Sequence, residues 1–202
     1  MRMRTWAPAA LVAATLLVPA GSHAESYKID ESHTSAGFRV RHLFTSVEGR
    51  FKEFGGTIEF DPEKPEEAKV QGTIETKTID TNVADRDEHL RSPDFFNVAE
   101  HPQIKFESTK VSDVSADKKT GKVHGNLTIH GVTKPVVLDA EFHGVGADPW
   151  GNKKAGFSAR TTIDRRDYGL TWNKALEAGN VLVGNDVDIR LDIEANVIED
   201  EE

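Results

Sequence analysis

The chain has 202 residues, no cysteine and a formal net charge of −9. This acidic balance argues against binding to nucleic acid or to an anionic membrane surface through the general electrostatic field of the protein. The absence of cysteine excludes disulfide bonds, thiolate metal sites and cysteine nucleophiles.

The first 24 residues have the pattern of a cleavable signal peptide. Arg2 and Arg4 form a basic start, residues 9–18 are an apolar run too short to span a bilayer comfortably, and Ser22-His23-Ala24 is a small-x-small cleavage site. Loss of the two arginines takes the formal charge from −9 to −11. We therefore expect an exported chain that begins at Glu25. The lack of cysteine favours a bacterial periplasm over a eukaryotic secretory route.

The rest of the chain suits one domain, residues 25–198, followed by a solvated acidic tail, 199–202. Apolar and polar residues alternate along most of it, which is typical of strands with one apolar and one solvated face. Because almost no helical pattern separates these segments, they predict an all-β, antiparallel meander. Eight such strands can close into a barrel that holds side chains or one slender ligand. The predicted strands span 35–43, 47–60, 69–78, 103–112, 121–130, 135–145, 154–164 and 186–197.

One short helical excursion is predicted between strands 3 and 4, within residues 80–102. Thr81 or Asn82 can cap its N-terminus, and Phe95 and Phe96 provide an apolar end. Two pairs of opposite charge stand four residues apart, Asp85 with His89 and Asp87 with Arg91. Two interpretations stay open, a surface helix that plugs one end of the barrel and a lid over a ligand mouth.

The lengths of the connections predict where the mouth lies. If every strand reverses direction, the odd-numbered connections share one end of the barrel and the even-numbered ones share the other. The even connections are polar turns, whereas two odd ones, the helical excursion and residues 164–180, are long enough to suggest function. Parity therefore places both at one rim. The odd connections also gather basic or protonatable side chains, which are candidate ligand-binding residues at this rim: His42, Arg86, His89, Arg91, His130, Arg165 and Arg166.

These basic groups have an alternative role, because the same loops carry many carboxylates. Guanidinium groups are suited to bidentate recognition of a phosphate, but they also form salt bridges within a loop. The sequence leaves both roles open for Arg86, Arg91, Arg165 and Arg166.

Several motifs appear in order through nearly all of the chain after residue 24. They are Tyr27-Lys28-Ile29-Asp30 with His33, residues 37–43, Gly49-Arg50-Phe51, residues 86–92, Asp94-Phe95-Phe96, residues 102–106, residues 125–136 and residues 165–170. Together they resemble the YceI-like, polyisoprenoid-binding family. The resemblance implies a lipocalin-like barrel, an exported location, homodimers, and an internal apolar tunnel that holds a long polyprenyl or fatty chain.

Such a tunnel would be lined by the inward apolar positions of the strands. Each CH2 group removed from water contributes about 0.8 kcal/mol, so a long chain can be bound without chemistry. The alternative for each residue is ordinary core packing. The predicted lining residues are Phe38, Val40, Phe51, Ile74, Phe106, Leu127, Leu138, Phe142, Phe157 and Ile189.

We therefore predict a periplasmic binding or carrier protein for a long-chain isoprenoid lipid, such as a quinone or a polyprenyl phosphate. We expect no catalysis, no cofactor or metal, no nucleic acid partner and no stable membrane insertion. The alternative is a periplasmic hydrolase or metal-dependent enzyme that uses His, Asp and Arg at the mouth. The sequence has no GxSxG motif to place a nucleophile, and His42, His89 and His130 lack a ligand spacing on one element.

Overall fold

Alternating sequence segments form eleven antiparallel strands in the computed structural model, which describes residues 24–174 and 182–199. The strands are β1 Glu25–Ile29, β2 Ser35–His42, β3 Thr45–Phe51, β4 Phe54–Phe60, β5 Lys69–Glu75, β6 Ile79–Asp80, β7 Gln103–Ser112, β8 Thr120–Ile129, β9 Val132–Ala147, β10 Lys153–Asp164 and β11 Val183–Val197. The helix α1, Ala84–Arg91, lies between β6 and β7. Three short 3-10 helices are Pro65–Glu67, Thr76–Thr78 and Arg165–Tyr168.

These strands close into the predicted eight-stranded antiparallel barrel. β1 and β2 share the first strand position, β3 and β4 the second, and β5 and β6 the third. The long β11 closes the ring, because its last residues pair with β1 while its earlier residues pair with β2. A closed barrel has no free sheet edge, and every strand keeps one face inward.

The structure refines the predicted strand boundaries at the first two positions. The first position begins at Glu25 rather than at residue 35, and the predicted strand 47–60 divides into β3 and β4. β1 has only five residues, of which Tyr27 alone is fully buried. So short a segment carries little alternation, which explains why the periodicity missed it.

Thr34 maintains the contact with β11 where the first strand position is interrupted. Its hydroxyl donates to the carbonyl oxygen of Glu194 and accepts from the amide of Glu194, both at 3.1 Å. The Lys154 ammonium lies 3.0 Å from the Asp30 carboxylate and 2.7 Å from that of Glu194. These bonds join the first strand position to β10 and β11, so we call residues 30–34, Lys154 and Glu194 the seam cluster.

The two long odd connections meet at one end of the barrel, as loop parity predicts. The ring centroid of Trp172 lies 4.9 Å from that of His89 and 5.1 Å from that of Phe95. We call this end, with α1 and residues 165–174, the helix rim. The opposite rim carries the polar turns, and it holds both Glu25 and Val197 because β1 begins there and β11 ends there.

The start of α1 differs from the prediction. Val83 is the N-cap residue and makes no side-chain capping bond, while Asn82 has a left-handed φ of 61°. Thr81 instead donates to Asp87, from its amide at 2.8 Å and from its hydroxyl at 2.5 Å. The predicted capping by Thr81 or Asn82 is therefore wrong, because the carboxylate on the helix holds the preceding strand.

The predicted charge pairs along α1 are also wrong within the described residues. His89 Nε2 lies 3.0 Å from Asp94 rather than pairing with Asp85. Arg91 donates to two backbone carbonyl oxygens, those of Lys77 and Ile79, at 2.6 and 2.8 Å. Both side chains turn away from the helix surface toward tertiary partners.

Some predictions fall partly outside the described residues. The predicted signal peptide 1–24 lies outside them up to residue 23, as do residues 175–181 of the second excursion and residues 200–202 of the acidic tail. Across the two described ranges, no helix has both the length and the apolar character needed to traverse a bilayer.

Candidate functional site

An apolar cavity of about 320 Å³ runs along the inside of the barrel. At the helix rim it touches Leu90 and Leu170, and toward the opposite rim it touches Pro65 and Ala68. All ten predicted tunnel residues line it, namely Phe38, Val40, Phe51, Ile74, Phe106, Leu127, Leu138, Phe142, Phe157 and Ile189. An apolar space of this kind suits an apolar ligand.

Glycines in the barrel wall make room for two of the phenylalanine rings. A Cβ atom on Gly49 would lie 2.3 Å from Cζ of Phe38, and one on Gly125 would lie 2.4 Å from Cζ of Phe106. Each ring therefore occupies the place of a missing side chain against the wall. This packing leaves the centre of the barrel open, although large residues line it.

Three aromatic rings cluster along the cavity on the side of the opposite rim. The centroid of Phe60 lies 4.7 Å from that of Phe142 and 5.2 Å from that of Phe157, and the latter two are 5.5 Å apart. They pack with buried Tyr27 and Ile58 in one of the two hydrophobic clusters of the described residues. Phe60, Phe142 and Phe157 thus form an aromatic cluster within the apolar lining of the cavity.

Residues from the long connections cover the other end. Leu90, Phe95, Phe96 and Leu170 all line the cavity. Phe96 packs edge-to-face on Phe51, with ring centroids 5.8 Å apart. The interpretations of α1 as a plug and as a lid both remain, because these side chains cover the cavity. Sequence periodicity missed Leu90 and Leu170, which lie outside any strand.

Of the seven predicted mouth residues, Arg165 alone lines the cavity. Arg86 donates to the hydroxyl and carbonyl oxygens of Thr81, both at 2.7 Å. Arg166 pairs with Asp164. Arg91 donates to backbone carbonyl oxygens. These three guanidinium groups therefore bind to protein acceptors at the rim and do not line the cavity. For Arg166, the partner is the salt bridge that the sequence offered as the alternative.

Arg165 is 5% exposed, which is unusual for a charged residue. It donates from Nε to the carbonyl oxygen of Gly184 at 2.9 Å, and from Nη1 to those of Leu170 at 2.5 Å and Trp172 at 2.8 Å. Burial lowers the pKa of Arg165. The side chain thus connects residues 165–172 to the start of β11 from inside the rim.

The predicted mouth histidines have different neighbours. His89 contacts Phe95 and Trp172, while His42 is the last residue of β2. His130, which has a left-handed φ of 51°, stacks edge-on against His101 with ring centroids 4.4 Å apart. Burial, followed by the charge of His101, lowers the pKa of His130. No sequence pattern indicated His101, because it lies in an irregular connection.

Among the described residues, the three mouth histidines do not form a group that could hold a metal ion. Asp30, His33 and Glu194 do place three ligand atoms within 4.8 Å of one another. The Lys154 ammonium, however, already bonds to both carboxylates of this group. The seam cluster therefore carries its own cation and serves barrel closure.

Comparison with known proteins gives consistent matches over most of the chain. Residues 27–195 match the family model described as the YceI-like domain. A UPF0312 protein of Pectobacterium atrosepticum is 47% identical over 165 residues, which cover 80% of this chain and 84% of the relative. The crystal structure of the YCEI protein of Campylobacter jejuni is 35% identical with a TM-score of 0.64, and covers 77% of this chain and 86% of that one.

A further solved structure shares the fold at low sequence identity. It is the polyisoprenoid binding domain of Saccharophagus degradans, which is 14% identical with a TM-score of 0.65. The match covers 86% of this chain and 99% of that domain. The barrel is thus the common element of these proteins.

Proposed function

This chain belongs to the YceI-like domain family, and from that premise we propose that it is a binding or carrier protein for a long-chain isoprenoid lipid. The observation that carries this proposal is the apolar cavity along the barrel axis, lined by all ten predicted tunnel residues. The lipid tail occupies this cavity, and its head lies toward the helix rim. The polyisoprenoid binding domain of Saccharophagus degradans, which has the same fold, supports this choice of ligand class.

The energetics of the cavity suit a tail rather than a polar metabolite. Each CH2 group buried from water contributes about 0.8 kcal/mol, and an isoprenoid chain offers many such groups along its length. The lining supplies few hydrogen-bond partners, so a sugar or nucleotide would lose more hydration than it regained. A flexible apolar chain is the class of ligand that gains most from this space.

The proposal includes location and assembly. The basic start, apolar run and cleavage site of residues 1–24 support export to the periplasm. Homodimers are expected from the family. The protein acts without a cofactor, since binding by burial needs none, and it does not insert stably into the membrane.

Denaturing mass spectrometry of organic extracts from the purified protein tests the proposal directly. We expect an isoprenoid lipid in near-stoichiometric amount, released only when the protein unfolds. Bound zinc together with empty extracts would contradict the carrier proposal and favour a metal-dependent enzyme.

A larger ring at position 157 tests the location of the tail. Phe157 belongs to the aromatic cluster that lines the cavity, so Phe157→Trp fills space that the tail needs. We expect lipid uptake to fall, measured by displacement of a fluorescent long-chain probe, at a stability cost of about 1–3 kcal/mol. Phe106 lines the wall of the cavity, so we expect Phe106→Trp to reduce lipid uptake in the same way.

Phe44→Trp provides the matched control, because Phe44 is 98% exposed in the turn between β2 and β3. This control makes the same Phe-to-Trp change, and so adds the same side-chain volume, outside the cavity. Wild-type uptake in both cavity variants would show that the tail binds elsewhere.

A further inference from the structure

The turn between β2 and β3 carries the most exposed large apolar residue of the described chain. Phe44 is 98% exposed, and the next residue of this kind, Trp150, is 85% exposed. A ring that stays in water contributes nothing to the apolar burial that stabilises the fold. Single exposed apolar residues are common on protein surfaces, so the other features of this turn decide its role.

The residue before Phe44 is also unusual for such a turn. Only Leu43 and Phe44 separate the paired residues His42 and Thr45, and Leu43 has a left-handed φ of 50°. Turns of this length favour Asn and Gly at positions with positive φ, because a bulky side chain is strained there. The turn thus holds two apolar residues where polar ones would fold more readily and be better hydrated. A local conflict of this kind is typical of functional sites.

This turn lies at the helix rim, at the end of the cavity. β2 ends and β11 begins at that rim, and the Leu43 amide donates to the carbonyl oxygen of Leu182, just before β11, at 3.0 Å. The same ends of the two strands contribute Val40 and Val183 to the lining of the cavity. The exposed ring of Phe44 and the apolar lining therefore share one rim of the barrel.

We propose that Phe44 docks the protein on a phospholipid bilayer, with its ring inserted at the membrane surface and the helix rim facing the lipid. This inference rests on the proposed function, because an isoprenoid tail that leaves the cavity needs another apolar environment, and a bilayer provides it. Phenylalanine rings favour the boundary between head groups and acyl chains. Arg41, which is exposed just before the turn, can bind lipid phosphates. One ring is far less than a membrane-spanning segment, so the contact is reversible.

The other strongly exposed aromatic residue is less suited to this role. Trp150 lies in the turn between β9 and β10, at the opposite rim. β11 ends at that rim, and Ile198 is followed by four acidic residues in the sequence. Negative charges are repelled by a bilayer that contains anionic lipid. Trp150 therefore provides a matched control for Phe44.

Cosedimentation with vesicles of phosphatidylethanolamine and phosphatidylglycerol tests the docking directly. Partial burial of one phenylalanine ring predicts that Phe44→Ser weakens partition onto the vesicles about 5- to 20-fold. We expect Trp150→Ser to partition as the wild type does. Both residues are exposed, so neither change disturbs the core. Equal partition by Phe44→Ser and the wild type, loss of partition in Trp150→Ser alone, or absence of wild-type partition would overturn the proposal.

Fluorescence quenching tests where the ring lies in the complex. Phe44→Trp places an indole at the proposed contact, and phosphatidylcholine brominated on its acyl chains quenches indoles that enter the bilayer. With this lipid in the vesicles, we expect more quenching in Phe44→Trp than in the wild type, whose own tryptophans lie elsewhere. Equal quenching in the two proteins would overturn insertion at this turn.

Lipid transfer distinguishes failure of the docking from failure of the proposed function. We expect Phe44→Ser to take up a fluorescent long-chain probe from vesicles about 5- to 20-fold more slowly than the wild type, in line with its weaker partition. Uptake of the same probe from solution should be unchanged. Wild-type transfer from vesicles by Phe44→Ser would overturn the docking and leave the proposed function intact. Failure of the wild type to take up the probe from either source would overturn the proposed function, and the docking with it.

Discussion

At the scale of single residues, Gly49 determines how much of the barrel centre is free. Replacing it with alanine places a methyl group where the Phe38 ring now lies, 2.3 Å from its Cζ, and within 2.9 Å of Cγ2 of Thr81. We expect Gly49→Ala to push the ring into the cavity and to reduce lipid uptake. The overpacking should also cost about 1–3 kcal/mol in the free energy of unfolding.

Gly37→Ala is the control for this prediction. It lies on β2 next to Gly49, but a Cβ there would meet only backbone oxygens at 3.7 Å, an ordinary contact. Displacement of a long-chain probe and urea unfolding measure the two effects. Equal uptake by the two alanine variants would show that the position of the Phe38 ring does not govern the cavity.

Residue roles were predictable from the sequence where they depend on alternation. Phe106 and Ile189 line the cavity because every second residue of a strand faces inward. The roles of Arg86 and Arg91 were not predictable, because the choice between a ligand and a backbone carbonyl depends on how a connection folds. His101 was missed for the same reason.

At the scale of elements, hydrogen bonds of two charged side chains, Asp87 and Arg91, attach α1 to the chain before it. It has eight residues, and an isolated helix of that length is marginal in water. Asp87 is 7% exposed and accepts hydrogen bonds from the amide and the hydroxyl of Thr81, while Arg91 donates to the carbonyl oxygen of Ile79 in β6. These bonds connect the helix directly to β6.

We expect Asp87→Ala to destabilise the protein by about 1–3 kcal/mol, because it leaves the buried amide and hydroxyl of Thr81 without their acceptor. Glu88→Ala is the matched control on the same helix, since Glu88 is exposed, and we expect it to change stability by no more than about 0.5 kcal/mol. Urea unfolding of both variants makes the comparison. Similar values for the two would mean that Asp87 does not hold α1.

The eight strand positions of the barrel and their antiparallel direction were predicted, but not the division of the first three positions into two strands each. The long strands β9, β10 and β11 carry enough alternation to be recognised. β1 depends instead on partners more than 160 residues away in sequence, such as Val197 opposite Tyr27. A local pattern carries no information about such a partner, so tertiary pairing determines this strand.

At the scale of the whole molecule, the seam cluster joins the first strand position to the last two strands. The Asp30 carboxylate accepts a hydrogen bond from the Lys154 ammonium at 3.0 Å and lies 2.8 Å from Nδ1 of His33. The hydrogen bond with His33, followed by that with Lys154, holds the pKa of Asp30 well below its usual range. The ionised carboxylate is therefore favoured in the folded barrel.

A carboxyl group with a lowered pKa in the folded state stabilises the protein fully above its unfolded pKa, about 3.9, and loses that contribution as the pH falls through the folded value. We therefore expect Asp30→Asn to lower the melting temperature at pH 7. The difference from wild type should persist down to about pH 4 and then shrink as the pH falls further.

Asp192→Asn, at an exposed position of β11 two residues from Glu194, is the control and should follow the wild-type melting curve more closely. Thermal unfolding between pH 7 and pH 2 measures all three proteins. A gap between Asp30→Asn and wild type that widens below pH 4 would contradict the assigned role of Asp30.

The pairing of β1 with the end of β11 also determines the orientation of the barrel when the protein is immobilised through a terminus. Glu25 and Val197 emerge side by side, at the rim away from α1. A tag or tether attached beyond either residue directs α1 outward from its support. A biosensor chip loaded through either terminus would display the Arg165 side of the barrel to lipid in solution instead of masking it.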